Sequence, residues 1–225
     1  MIKRKATIDD GCNPELVIGA EFDGFFEIPI IKKPTEIRIP SKIIPFSMRH
    51  KDPDKKAAIA FYENDPMFAD VLIHPEAYIE EFRDCYCIIT PDCSLYREAP
   101  LAVQVINIYR SHAIGHYYQA RGSYVIPQVR WGGPETYTTE VFREKAAFLG
   151  VERNGIVAIG SYGCIKTRED KFHFRSGLTS MLKTLSPHTV LVYGCMPNSV
   201  FGDYLSLTRF VRYDDWTTMK HGGSQ

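Results

Sequence analysis

From Ala57 to Gly194 the chain alternates short β-branched runs with longer stretches of helical pattern. That alternation restricts it to folds built from βα units around a parallel sheet. Residues 69–74, 85–90, 124–129, 155–160 and 189–194 read as strands, and 76–83, 100–121, 135–149 and 172–185 as helices. Pro100 suits a first helical turn, and Gly122 and Pro187 mark helix ends. Pro127 removes a ladder donor within its own run, so that strand is expected to be bulged or at an edge. A further helix is expected near residues 200–208, followed by a loop.

The expected fold is α/β: a parallel sheet of about five to six strands forming a partial or irregular TIM-barrel-like body, with an open three-layer sheet as the alternative. Eight full units typically take about 250 residues, more than this body offers. Residues 1–56, punctuated by six prolines from Pro14 to Pro53, read as an irregular proline-rich arm packed on a single domain of residues 57–219, with a disordered tail at 220–225.

Composition narrows the function classes. Lysine and arginine number 27, as do aspartate and glutamate, so net charge gives no support to a nucleic-acid or anionic-membrane partner. The basic residues Lys3–Lys5, Lys32, Lys33 and Lys51–Lys56 are interleaved with Asp9, Asp10, Glu36, Asp52 and Asp54, as on a solvated face. No apolar run approaches the roughly 20 residues that span a bilayer and the start lacks a signal-peptide core, so a cytoplasmic location is expected. Six cysteines show no C-x-x-C pair, and Cys85 and Cys87 read as small buried hydrophobes. No Walker loop, dinucleotide fingerprint or zinc-protease motif occurs, so neither a metal nor a cofactor is assigned.

Ligands of parallel α/β folds bind beyond the carboxyl ends of the strands. The residues that follow each run are polar and aromatic: His74 and Glu76; Asp92, Ser94 and Tyr96; Arg130 and Trp131; Ser161, Tyr162, Cys164 and Lys166; Tyr193, Cys195 and Asn198. Asp92 is the acid/base candidate, since a carboxylate among apolar neighbours is open to pKa tuning; it equally suits an Asx-turn or helix cap bonded to the Ser94 N–H. Ser94 is a weaker ligand-binding candidate, with no neighbouring base. Arg130 with Trp131 offers an anion clamp beside an aromatic platform. The Gly160–Gly163 turn lets backbone N–H groups approach a ligand, with Ser161 and Tyr193 as positioning groups. On the helix of residues 100–121, His112 and His116 share one arc with Leu101, Val105 and Ile108, while Gln104, Asn107 and Ser111 share another. The two histidines suit hydrogen-bonded core positions or a shared metal, and Gly115 weakens the helix between them.

The blocks Ile89-Thr90-Pro91-Asp92-Cys93-Ser94-Leu95-Tyr96, Pro100-Leu101-Ala102 with Gln104, Val125-Ile126-Pro127 with Val129-Arg130-Trp131, Val157-Ala158-Ile159-Gly160 with Gly163, and Val192-Tyr193-Gly194 resemble, in that order, the family known as domain of unknown function 4417, over roughly residues 40–200. The resemblance implies a bacterial, phage or mobile-element setting and chemistry related to nucleic acids or nucleotides; it carries no catalytic assignment. Cys93 stands where the family pattern has an aromatic residue. Two readings follow. One is an enzyme or binder acting on a small polar or nucleotide-like ligand at the strand ends; the other is a non-enzymatic module that binds nucleic acid or a host or mobile-element protein through the arm and the aromatic C-terminal segment.

Overall fold

A computed structural model describes residues 13–222. A small antiparallel hairpin, β1 (Phe22–Asp23) and β2 (Ile28–Pro29), comes first. Then follow β3 (Ile43–Pro45), β4 (Ala58–Ala60), α1 (Ala69–Ile73), α2 (Ile79–Asp84), β5 (Cys87–Ile89), α3 (Leu101–Gln119), β6 (Val125–Ile126) and α4 (Pro134–Tyr137). The second half contains β7 (Ile156–Gly160), α5 (Arg168–Leu185), β8 (Thr189–Tyr193), α6 (Asn198–Phe201), β9 (Arg209–Tyr213) and α7 (Trp216–Gly222).

The fold is mixed α/β. Strands β3-β4-β5-β6 form one parallel sheet and β7-β8-β9 a second, each strand beside its neighbour in sequence. Beyond β6 the chain touches β7: Gln128 bridges Ala158 in parallel, the Ala158 N–H donates to Pro127 O at 2.9 Å, and the Val129 N–H donates to Ala158 O at 2.8 Å. Pro127 has no N–H to give but still accepts, which explains both the two-residue length of β6 and the junction past it.

Both faces of this parallel assembly are buried, as β-branched strands of this kind require. One face gathers Ile43, Ala60, Ile89, Ile126, Ala158 and Leu191, contributed by both sheets, into a single cluster. The opposite face of the four-stranded sheet packs under Phe46, Phe61, Phe82 and Tyr118, and that of the three-stranded sheet under Phe174, Leu178 and Met181 of α5. Phe82 has no exposed surface and meets Tyr118 edge-on at 4.8 Å, so its truncation to alanine belongs in the class costing about 3–5 kcal/mol. Among the described residues no helix is long and apolar enough to cross a membrane.

Several elements differ from the sequence expectation. Residues 69–74 are not a strand: Val71 is buried while Ile73 is exposed, the pattern of helix α1, and short apolar runs do not distinguish the two by period. Strand β3 lies inside the stretch read as the arm and opens the four-stranded sheet; its Pro45 is tolerated because β3 is an edge. Residues 135–149 do not form one helix. After α4 the Tyr137 carbonyl accepts from the Ser180 hydroxyl at 2.6 Å, and the chain runs irregularly to a 3-10 turn at Ala146–Phe148. Residues 200–208 hold only the end of α6 and a 3-10 turn, and the loop expected next is strand β9. Of the expected tail, 220–222 complete α7, whereas 223–225, like Lys3–Lys5, Asp9 and Asp10, lie outside the described residues.

The backbone of Ile18, Pro29 and Lys32 is held on α3 by its histidines and its last glutamine. His112 Nδ1 meets Pro29 O at 3.1 Å and His116 Nε2 meets Ile18 O at 3.3 Å, and Gln119 exchanges two 2.8 Å hydrogen bonds with the Lys32 backbone. Gly115 sits between the histidines because a Cβ there would lie 2.6 Å from both Ile31 Cδ1 and Thr90 Cγ2. Gly115→Ala gains about 1 kcal/mol of helix propensity and loses about 1–3 kcal/mol to overpacking. The expected outcome is a lower thermal midpoint, and a midpoint above that of the unsubstituted chain would show that this contact yields freely.

Burial lowers the His112 pKa to about 4, against the opposing pull of its Pro29 hydrogen bond. Between about pH 4 and 6.5 the unfolded chain therefore binds a proton that the native chain refuses, and stability falls as pH is lowered through that window, by about 3 kcal/mol in all. Urea unfolding at pH 7 and pH 4.5 should show this loss, with a clearly smaller one in His112→Gln. Equal losses in the two proteins would remove His112 as the cause.

Candidate ligand-binding cleft

The polar arc of α3 is buried, as are Ile108 and His112 of the other arc. Gln104, Asn107 and Ser111 are all enclosed, whereas Val103 and Ile106 are exposed. Each buried polar group is spent on the loops that leave β5 and β6. Gln104 Nε2 donates to Ala99 O at 2.8 Å while its Oε1 accepts the Gly133 N–H at 3.0 Å. Asn107 donates to Ser94 O at 2.6 Å, and the Ser111 hydroxyl donates to Thr90 Oγ1 at 3.0 Å. Thr90 Oγ1 in turn accepts the Gln128 N–H at 2.9 Å. Gly132 permits the approach of its loop, since a Cβ there would fall 1.9 Å from Gln104 Oε1.

These loops bring Asp92 against Arg130. One carboxylate oxygen accepts from Arg130 Nη1 at 2.6 Å and the other from Gln128 Nε2 at 2.8 Å. Burial raises the Asp92 pKa, and the Arg130 charge and both hydrogen bonds oppose that rise. The Arg130 pKa is raised by Asp92 beside it. Arg130 retains about a quarter of its side-chain surface (26%) where it lines an open cleft of about 200 Å³. The cleft lies between the ends of β6 and β7 and the first turn of α5, with Trp131 and Phe174, 5.0 Å apart, as its aromatic wall. His173 also lines it, and its Nδ1 is buried without a hydrogen-bond partner. The start of α5 is fixed by a reciprocal cap in which the Thr167 hydroxyl accepts the Asp170 N–H at 3.0 Å and Asp170 accepts the Thr167 N–H at 2.9 Å.

The structure sorts the predicted residues into three groups. Arg130 and Trp131 both line the cleft, because the chain has left strand geometry and successive side chains no longer alternate. Asp92 and Tyr193 stand behind. Asp92 orients Arg130; Tyr193 stacks at 4.7 Å on Tyr62, and its hydroxyl accepts the Trp216 N–H at 2.8 Å. Ser94 and Ser161 are committed elsewhere. Ser94 bonds Asp65 through its hydroxyl at 2.7 Å and its N–H at 3.3 Å, so the bond that an Asx-turn at Asp92 would use is taken. The Ser161 hydroxyl donates to Cys195 O at 2.7 Å, and the Ser161 and Tyr162 N–H groups both donate to Tyr193 O, which leaves that turn no free donor at those positions.

Tyr62 and His173 were absent from the sequence reading. Tyr62 follows β4, whose Ala-Ile-Ala core carries little strand signal; its buried hydroxyl lacks a hydrogen-bond partner, and burial, with Asp92 and Tyr193 nearby, raises its pKa well above the ordinary value. His173 was signalled only by the Thr-x-x-Asp cap that starts α5 four residues before the expected position. Burial raises the thiols of Cys164, at the cleft wall, and of Cys87, and pushes that of Cys85 up to about 12, so these sulfurs are held protonated. Among the described residues no three His, Cys, Asp or Glu side chains gather as a metal site.

The model of the family described as domain of unknown function (DUF4417) matches residues 20–214. The chain is similar to the Gene 1 protein of Mycobacterium phage L5, 32% identical over 177 residues that cover 77% of this chain and 73% of the phage protein. It is also similar to the Gene 1 protein of Mycobacterium phage D29, 31% identical over 172 residues, 75% of this chain and 60% of that protein. No solved structure matches. A family model matched across both parallel sheets and the cleft between them, together with these phage relatives, means that the chain belongs to the DUF4417 family.

Proposed function

We propose that this protein binds a small, polar, nucleobase-bearing ligand in the cleft at the carboxyl ends of β6 and β7. The observation that carries the reading is Arg130. Its guanidinium is fixed by a buried carboxylate at the edge of a concave surface walled by Trp131 and Phe174. A held cationic fork beside aromatic rings suits a planar ligand with acceptor atoms. In this reading the seven parallel strands form an irregular TIM-barrel-like body with the cleft on its carboxyl rim. Two contacts support that arrangement: the Tyr213 hydroxyl donates to Pro40 O at 2.8 Å, and Trp216 packs in the cluster that covers β3 and β4. Asp92 serves by orienting Arg130, and an acid/base step at Asp92 would require its proton to pass through this pair. Phage relatives accord with a mobile-element setting.

A thermal-shift screen with the common nucleosides and their monophosphates tests the reading. A ligand at a hundredfold excess over its Kd stabilises by about 2.7 kcal/mol, which raises Tm by about 5–10 °C in a chain of this size. The doubly substituted Asp92→Asn/Arg130→Gln protein removes both charges together and so avoids an unpaired buried ion. It should fold yet lose the shift, while Ser94→Ala should keep it. A screen in which no compound moves Tm, or a shift retained in the double variant, would overturn the assignment.

A further inference from the structure

The charges around the cleft are already balanced, and this determines which form of a nucleobase-bearing ligand it accepts. Arg130 spends its Nη1 on Asp92. Arg97, at the opposite lip, pairs with Glu98 at 3.0 Å and with Glu169 at 3.2 Å. The Asp170 carboxylate also lines the cleft, where it caps α5. Two arginines therefore face the carboxylates of Glu98 and Asp170 in the lining itself, with Asp92 and Glu169 beside them, so that among the described residues the lining holds no unpaired arginine or lysine. A phosphate monoester brings about −1.5 to −2 charges at neutral pH and would enter a lining whose arginines are already paired with carboxylates. The groups that are unspent are the remaining N–H donors of Arg130, which makes no other hydrogen bond among the described residues.

We infer that the ligand is the uncharged heterocycle, a free nucleobase or nucleoside with two adjacent acceptors of the guanine type, stacked along Trp131 and Phe174, walled by His173 and read at its edge by Arg130. Arginine pairs bidentately with the O6 and N7 acceptors of guanine, while adenine presents a donor at the first of these positions. This inference rests on the reading of the cleft as a nucleobase site and sharpens it to a charge state and a ring edge.

Calorimetric titration of the full chain with guanosine, adenosine, guanosine monophosphate and guanosine triphosphate separates the outcomes. The expected order is guanosine tightest, adenosine about tenfold weaker, and the monophosphate and triphosphate each weaker than guanosine by about tenfold or more. Glu98→Gln removes an exposed carboxylate from the lip, and it should narrow the gap between guanosine and the monophosphate. His173→Ala should weaken guanosine by about tenfold. If a phosphorylated form binds more tightly than guanosine, or adenosine equals it, the inference fails while the nucleobase reading stands. If none of the four binds, both fall.

Discussion

The requirement that buried polar groups be satisfied fixes the geometry of the cleft. α3 turns Gln104, Asn107 and Ser111 inward, where an unmade hydrogen bond costs about 1–3 kcal/mol each. The groups that meet this demand are backbone atoms of the segments leaving β5 and β6 and, for Ser111, the Thr90 hydroxyl. One helix thereby shapes two loops at once, and Arg130 inherits its position from them. The Asp92–Arg130 pair is the last link of this network. Removing either partner alone would strand a largely enclosed charge, at a cost of about 3–5 kcal/mol.

Much of the architecture was legible because parallel strands buried on both faces must be rich in apolar side chains. Ile156–Gly160 and Thr189–Tyr193 stand where the β-branched runs placed them, and the helix over Leu101–Gln119 nearly so. The elements that escaped lack that density. β4 is Ala-Ile-Ala, small because its alanines face the crowded interior cluster. β3 is hidden among prolines that only an edge strand accepts, and β9 mixes Arg209 and Arg212 with aromatics because it too is an edge. The helix expected after Glu135 failed for a tertiary reason, the capture of the Tyr137 carbonyl by Ser180 of α5, which no local pattern encodes.

The cleft was legible by position rather than by role. The rule that selects strand ends found Arg130, Trp131, Asp92 and Tyr193, and the structure brings the first two into the cleft with the others behind them. Roles depend on partners distant in sequence. Asp65 occupies Ser94 across 29 residues and Cys195 occupies Ser161 across 34, so two hydroxyls that look free in the sequence are engaged. The wheel of α3 placed Ile108 and His112 on a buried arc correctly but could not reveal that the amide-bearing arc is buried as well, since hydropathy alone assigns such residues to solvent.

The order of the strands has a consequence for how the molecule assembles. Every strand from β4 to β6, and again β8 and β9, pairs with the strand immediately before it in the chain. Each therefore leaves the ribosome with its partner already made, and within either parallel sheet no pairing waits for a later segment. Paired residues range from Ile43 with Ala58 to Ile88 with Val125, so each closure is bounded by one crossover connection rather than by the length of the chain. The four-stranded portion is complete once Ile126 has been synthesised, and the contacts at Pro127, Gln128 and Val129 then present a template for the remaining three. The proline that shortens β6 thus also marks the seam between two successive stages of construction.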